Sequence, residues 1–107
     1  MAFIEIDESN FQDILKEEFA KKQIVILKFG SDLCDACMAL DWELETVDDK
    51  YDNVSVLSVN CGDAQELAEH YRINKVPTMI IYEDEDTTLW HKEGTMLSQD
   101  IEKIINS

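Results

Sequence analysis

Basic side chains are scarce in this 107-residue chain: nine lysines and arginines stand against 24 aspartates and glutamates, for a net charge of −15. A surface that acidic repels nucleic acid and anionic membranes, so neither is an expected partner. Its general effect is solubility, and its specific one is a preference for basic or neutral partner proteins. Long apolar runs are also missing. No eighteen apolar residues follow one another, and the opening Met1-Ala2-Phe3-Ile4-Glu5-Ile6-Asp7 is acidic where a secretory leader is basic and then apolar. A cytoplasmic protein with no membrane span is expected. Cysteine and histidine are few, at three and two, and Pro77 is the only proline. A closed structural zinc site needs four ligands, and beyond Cys34 and Cys37 the chain offers only Cys61, His70 and His91, with no second CxxC and no HxxxH pair. No metal is therefore expected. There are no repeats, low-complexity tracts or linkers, and a hydrophobic content of 45% suffices for one modest core, so residues 1–107 read as a single domain.

What the chain does have is Cys34-Asp35-Ala36-Cys37, directly after the apolar run Ile24 to Phe29 and directly before a helix-patterned stretch that begins at Met38. Two cysteines three apart in the first turn of a helix share a face, with Cβ atoms about 5–6 Å apart, near enough to close a disulfide after small adjustment. The unpaired N–H groups and partial positive charge of the helix N-terminus stabilise a thiolate on Cys34, which becomes the nucleophile, while Cys37 resolves the mixed disulfide. A bridge across so few residues removes little unfolded-state entropy, so a purely structural disulfide explains the pair less well than a reversible dithiol.

The surrounding pattern is β–α repeated. Phe3 to Ile6 reads as a strand, and Phe11, Ile14, Leu15 and Phe19 as a helix face after the capping-type Ser9 and Asn10. Ile24 to Phe29 reads as a central strand covered on both sides, followed by a helix with Leu40, Leu44, Val47 and Tyr51 inward. Val54 to Val59 is a third strand, and Ala64 to Tyr71 a short helix. Met79 to Tyr82, an acidic turn over Glu83 to Asp86, and Thr87 to Lys92 form a hairpin that Gly94 closes, and Ile101, Ile104 and Ile105 mark a last amphipathic helix. The order predicts an α/β fold with a mixed sheet flanked by helices on both faces.

A strand ending at a helix-opening CxxC, a third β–α unit, Val76-Pro77-Thr78 before a hairpin, and Gly94 before a last helix together resemble thioredoxin over nearly the whole chain. The resemblance implies the thioredoxin fold, a central mixed five-stranded sheet flanked by four helices. It implies that Cys34 is the exposed nucleophile, that Cys37 resolves, that Pro77 follows a cis peptide, and that Val76 offers backbone N–H and C=O groups to an extended substrate segment. It further implies a protein-disulfide reductase, a thiol–disulfide oxidoreductase acting in cell redox homeostasis and electron transport. No cofactor is needed beyond the redox-active Cys34–Cys37 disulfide. The implied partners are protein disulfide substrates and a flavoprotein thioredoxin reductase as electron donor, with the chain a monomer. A non-catalytic thioredoxin-fold module for redox sensing, adaptor function or metal binding is the alternative, and a glutaredoxin-like enzyme using anionic glutathione is a second.

Three departures from the family pattern bear on the chemistry. Leu33-Cys34-Asp35-Ala36-Cys37 stands where the family usually has Trp-Cys-Gly-Pro-Cys. Asp35 adds negative charge beside the thiolate, or serves as a helix N-terminal charge. Lys28 occupies the place of a buried aspartate, and either snorkels to a carboxylate or water or relays a proton near Cys37. Trp42 stands where the family commonly has a kinking proline, implying a straighter helix, with core or half-buried packing as the expected environment and a partner contact as the other. Cys61 is expected as a small buried residue, and His70 and His91 as solvated surface groups.

Overall fold

The computed structural model describes residues 3–107. Its elements are β1 (Ile4–Ile6), α1 (Phe11–Ala20), β2 (Ile24–Gly30), α2 (Asp35–Lys50), β3 (Val54–Asn60), α3 (Gln65–His70), β4 (Thr78–Asp84), β5 (Thr87–Glu93) and α4 (Ser98–Ile105). The five strands form one sheet in the order β1-β3-β2-β4-β5, with β1, β3 and β2 parallel and β4 and β5 antiparallel. Helical connections allow the parallel pairs, and a two-residue turn allows the β4–β5 hairpin.

β2 is the middle strand and is apolar on both sides because both faces of the sheet are covered. Val25, Leu27 and Phe29 pack with Leu57, Val59 and Ile80 against α1 and α3, through Phe11, Phe19, Leu67 and Tyr71. Ile26 packs with Val54, Val56, Met79 and Ile81 against α2 and α4, through Leu40, Leu44, Val47 and Ile101. Truncating one of these fully buried leucines to alanine costs about 2–5 kcal/mol.

Two helices are capped by distant acidic side chains. Leu67 N–H in α3 donates to Glu8 Oε2 at 3.0 Å, and Ser98 N–H at the start of α4 donates to Glu43 Oε1 at 2.8 Å, which ties α4 to α2. Asn10 stands at the α1 N-cap without capping through its side chain, which instead accepts from Asp7 N–H at 2.8 Å. The acidic turn is shorter than its composition predicts. Glu83 and Asp84 remain in β4, where Asp84 pairs Thr87, so only Glu85 and Asp86 turn, and a register shift near Tyr82 absorbs the difference. Gly94, at φ +100°, takes a left-handed backbone that suits glycine, and its N–H donates to Pro77 C=O at 2.8 Å.

Candidate functional site

The site is where β2 runs out. After Gly30 the chain turns through Ser31, Asp32 and Leu33, and Leu33 sits in the left-handed region at φ +57° with its side chain wholly exposed. Cys34 follows in extended geometry as the N-cap of α2, and its Sγ accepts from Cys37 N–H at 3.1 Å. Cysteine here fills the role that Ser or Asp usually fills, satisfying a free helix donor, and a thiolate there gains more from that N–H than a thiol. Cys34 and Cys37 are joined in a disulfide, with Cα atoms 5.2 Å apart.

The two sulfurs live in different surroundings. Cys34 is partly exposed, whereas Cys37 is 3% exposed and faces the sheet. Asp35 is exposed at the first position of α2. Thr78 pairs Phe29 across β2 and β4, so Val76 and Pro77 extend past the sheet at the end where β2 enters the cysteine turn. The Val76–Pro77 peptide is cis, Pro77 is buried and Val76 half-buried. Pro77 C=O is taken by Gly94, while neither the N–H nor the C=O of Val76 makes a hydrogen bond among the described residues.

Of the four large apolar side chains that stay exposed among the described residues, Leu97 precedes α4 and the other three lie around the cysteines. Leu33 precedes Cys34, and Met38 and Trp42, one helical turn apart on α2, are 53% and 66% exposed. Trp42 is therefore not half-buried as its size predicts. α2 runs unbroken for 16 residues and gives its inward positions to Leu40, Leu44 and Val47, leaving Trp42 on the outer face.

Lys28 is 5% exposed, and its Nζ lies 2.8 Å from Asp41 Oδ1, whose side chain is about one-third exposed. Asp41 is the residue that sequence reasoning missed. The signal was its position four residues after Cys37, which puts both on one face of α2. Cys61 is a free, partly buried thiol packed against the core on the α1/α3 side. Burial pushes its pKa up, and the positive charge of Lys28 offsets part of that. His70 and His91 are exposed and stand apart from the cysteines, His70 edge-on to Tyr71 at 5.1 Å between rings. Among the described residues no three His, Cys, Asp or Glu side chains gather as metal ligands.

The arrangement can be compared with known proteins. The thioredoxin family profile matches residues 2–107. A thioredoxin of Mycoplasma genitalium is 29% identical over 70 residues, covering 65% of this chain and 69% of that protein. The chloroplastic thioredoxin F1 of Arabidopsis thaliana is 31% identical over 81 residues, 75% of this chain but 44% of the longer relative. Among solved structures, chloroplastic thioredoxin z superposes with a TM-score of 0.87 at 22% identity, over 99% of this chain and 93% of its own. Spinach thioredoxin f does so with 0.82 at 24% identity, over 97% and 91%. Those two likenesses carry the fold alone. The match over residues 2–107 carries more, and the CxxC pair at the head of α2 agrees with it: this chain belongs to the thioredoxin family, whose members are thiol–disulfide oxidoreductases.

Proposed function

We propose that this protein reduces disulfide bonds in other proteins through the Cys34/Cys37 dithiol. The Cys34 thiolate attacks one sulfur of a substrate disulfide, forming a Cys34–substrate bond and expelling the other substrate sulfur, which takes a proton from water. Cys37 then attacks Cys34, the Cys34–substrate bond breaks, and the second substrate thiol leaves. Two electrons pass to the substrate, and the dithiol ends as the Cys34–Cys37 disulfide. A flavoprotein thioredoxin reductase returns the electrons, and the cytoplasm, a reducing compartment, is where such a cycle runs.

The observation that carries this reading is the asymmetry of the pair: Cys34 is reachable by a protein disulfide, and Cys37 is buried beside it. The free N–H and C=O of Val76 support docking of an extended substrate segment by added-strand hydrogen bonds. Leu33, Met38 and Trp42 support an apolar contact alongside. Asp35 and the net charge of −15 favour substrates that are basic or neutral around the disulfide.

The test is insulin reduction with dithiothreitol or a reductase as donor. Cys34→Ser abolishes turnover. Cys37→Ser also stops turnover but accumulates a covalent adduct through Cys34, because the thiol that would release it is gone. Adducts on the Cys34→Ser variant instead would reverse the roles. A wild-type protein that closes and opens its disulfide but never accelerates insulin reduction would favour a redox-sensing or adaptor module.

A further inference from the structure

β2 is apolar except for Lys28, and the fold places that lysine under the resolving cysteine. Lys28 lies on the α2 side of the sheet, in a row with Ser58 of β3 and Met79 of β4. Its Nζ and the Cβ of Cys37 both stand within 3.5 Å of the point that a Cβ on Gly30 would occupy. A Cβ there would lie 2.7 Å from the ammonium and push the lysine head aside, so glycine leaves it room where it stands. On the helix, Cys37 and Asp41 are neighbours one turn apart, and Asp41 meets the ammonium from its partly exposed side. The contact is ionic rather than a directed hydrogen bond, since Asp41 Oδ1 is buried without an aligned donor.

We propose that Lys28, ion-paired with Asp41, is a positioning residue that acts through Cys37: its ammonium stabilises the thiolate that resolves the mixed disulfide. The inference rests on the reductase reading above. Burial at 3% exposure works against a Cys37 thiolate, and a cation on the far side of the same gap at Gly30 works for it. In the resolving step the Cys37 sulfur, already deprotonated to water, bonds to Cys34 Sγ, and the departing substrate thiolate takes a proton from water. The charged and titratable groups on the elements at this end are Lys28 on β2, Asp32 in the cysteine turn, Asp35 and Asp41 on α2 with Cys34 at its cap, and Cys61 in the turn after β3. β4 brings Thr78 and Met79, without charge.

The direct experiment titrates Cys37 alone, by thiolate absorbance in a Cys34→Ser/Cys61→Ser background, with and without Lys28→Met. The expected result is a Cys37 pKa at least one pH unit higher without the ammonium. Asp41→Asn, at a partly exposed helix position that folding tolerates, moves it the other way. In stopped-flow measurements on the otherwise intact dithiol, Lys28→Met leaves about tenfold less thiolate, each somewhat more nucleophilic, so resolution slows about threefold at neutral pH and its pH profile moves to the alkaline side. Capture of substrate by Cys34, read in a Cys37→Ser background, changes by less than twofold. Unshifted Cys37 titrations in both variants, or equal slowing of both steps, would overturn the proposal. A wild-type protein that reduced no protein disulfide would overturn the reductase reading, while the titration would still decide about Lys28.

Discussion

Leu33 combines two features that a stable protein would ordinarily avoid: a left-handed backbone at φ +57° and a leucine side chain with no contact at all. An L-residue in that region costs about 1–2 kcal/mol, which glycine escapes; glycine in turn loses about 0.5–1 kcal/mol more in backbone entropy on folding. Leu33→Gly therefore stabilises the protein by about 0.5 kcal/mol, since no packing is lost, and raises Tm by about 2–4 °C. Function moves the other way. Burying a leucine fully is worth about 1.5–3 kcal/mol, so half-burial against a docked protein is worth about 1 kcal/mol, or about fivefold in KM. The assay pairs thermal unfolding with turnover of two substrates, insulin and dithiodipyridine, whose small rings make no such contact. Expected are a higher Tm, a KM for insulin about fivefold higher, and an unchanged rate with dithiodipyridine. If Leu33→Gly lowered Tm, the leucine would be contributing to the fold. If the insulin KM stayed constant, the exposed leucine would have no part in docking, and its strained backbone would have to be explained by the entry into α2 alone.

Two further predictions concern buried carboxylates away from the site. Asp48, 8% exposed on α2, has an Oδ2 with no hydrogen-bond partner, and desolvation raises its pKa. A raised native value means its contribution to stability is greatest below the unfolded carboxylate range and is lost as pH rises through the folded value, so Asp48→Asn stabilises at neutral pH by about 1 kcal/mol and the gain vanishes in acid. Thermal melts across pH check this, and a gain independent of pH would refute it. Glu18, 5% exposed, is the reverse case: desolvation alone would raise its pKa, but the Ser55 hydroxyl at 2.5 Å and Lys21 at 2.9 Å together bring it below the usual range. Its stabilisation is present above the unfolded carboxylate value and fades as pH falls through the folded one, so Ser55→Ala costs about 2 kcal/mol in neutral urea titrations and progressively less in acid.

Much of the fold was legible because its signals are local. Ile24 to Phe29 has no polar alternation, and that pattern requires cover on both faces, so its central place between β3 and β4 follows from the run itself. The α2 stripe of Leu40, Leu44 and Val47 likewise states which face turns inward. Boundaries were less legible where tertiary pairing overrode composition. Glu83 and Asp84 read as turn residues, yet β4 continues through them because β5 supplies a hydrogen-bonding partner as far as Thr87. Asn10 read as a side-chain cap, yet Asp7 offered its amide oxygen a nearer donor, while the caps that did form on α3 and α4 came from Glu8 and Glu43, 59 and 55 residues away in sequence. No local window contains such a pair.

The site divides in the same way. Cys34, Cys37 and the end of β2 lie within one strand–turn–helix unit, so spacing alone puts the thiol at a helix N-terminus. Aromatic size argues for burying Trp42, whereas helical phase, counted from Leu40 and Leu44, puts it outside. Lys28 was visible as an intruder in an apolar strand, but its partner was not, since any of 24 acidic residues would neutralise it on paper. What selects Asp41 is the helix passing over β2 with Cys37 and Asp41 one turn apart, and what admits the ammonium is the missing side chain at Gly30. The polarity beneath the resolving cysteine is thus set by three residues from two elements. The Lys28 ammonium from β2 and the Asp41 carboxylate from α2 together leave that pocket close to neutral, with Asp41 the more exposed of the two. On the proposal above, a cation fixed beneath Cys37 favours its thiolate, and the partly exposed Asp41 carboxylate beside it limits that gain.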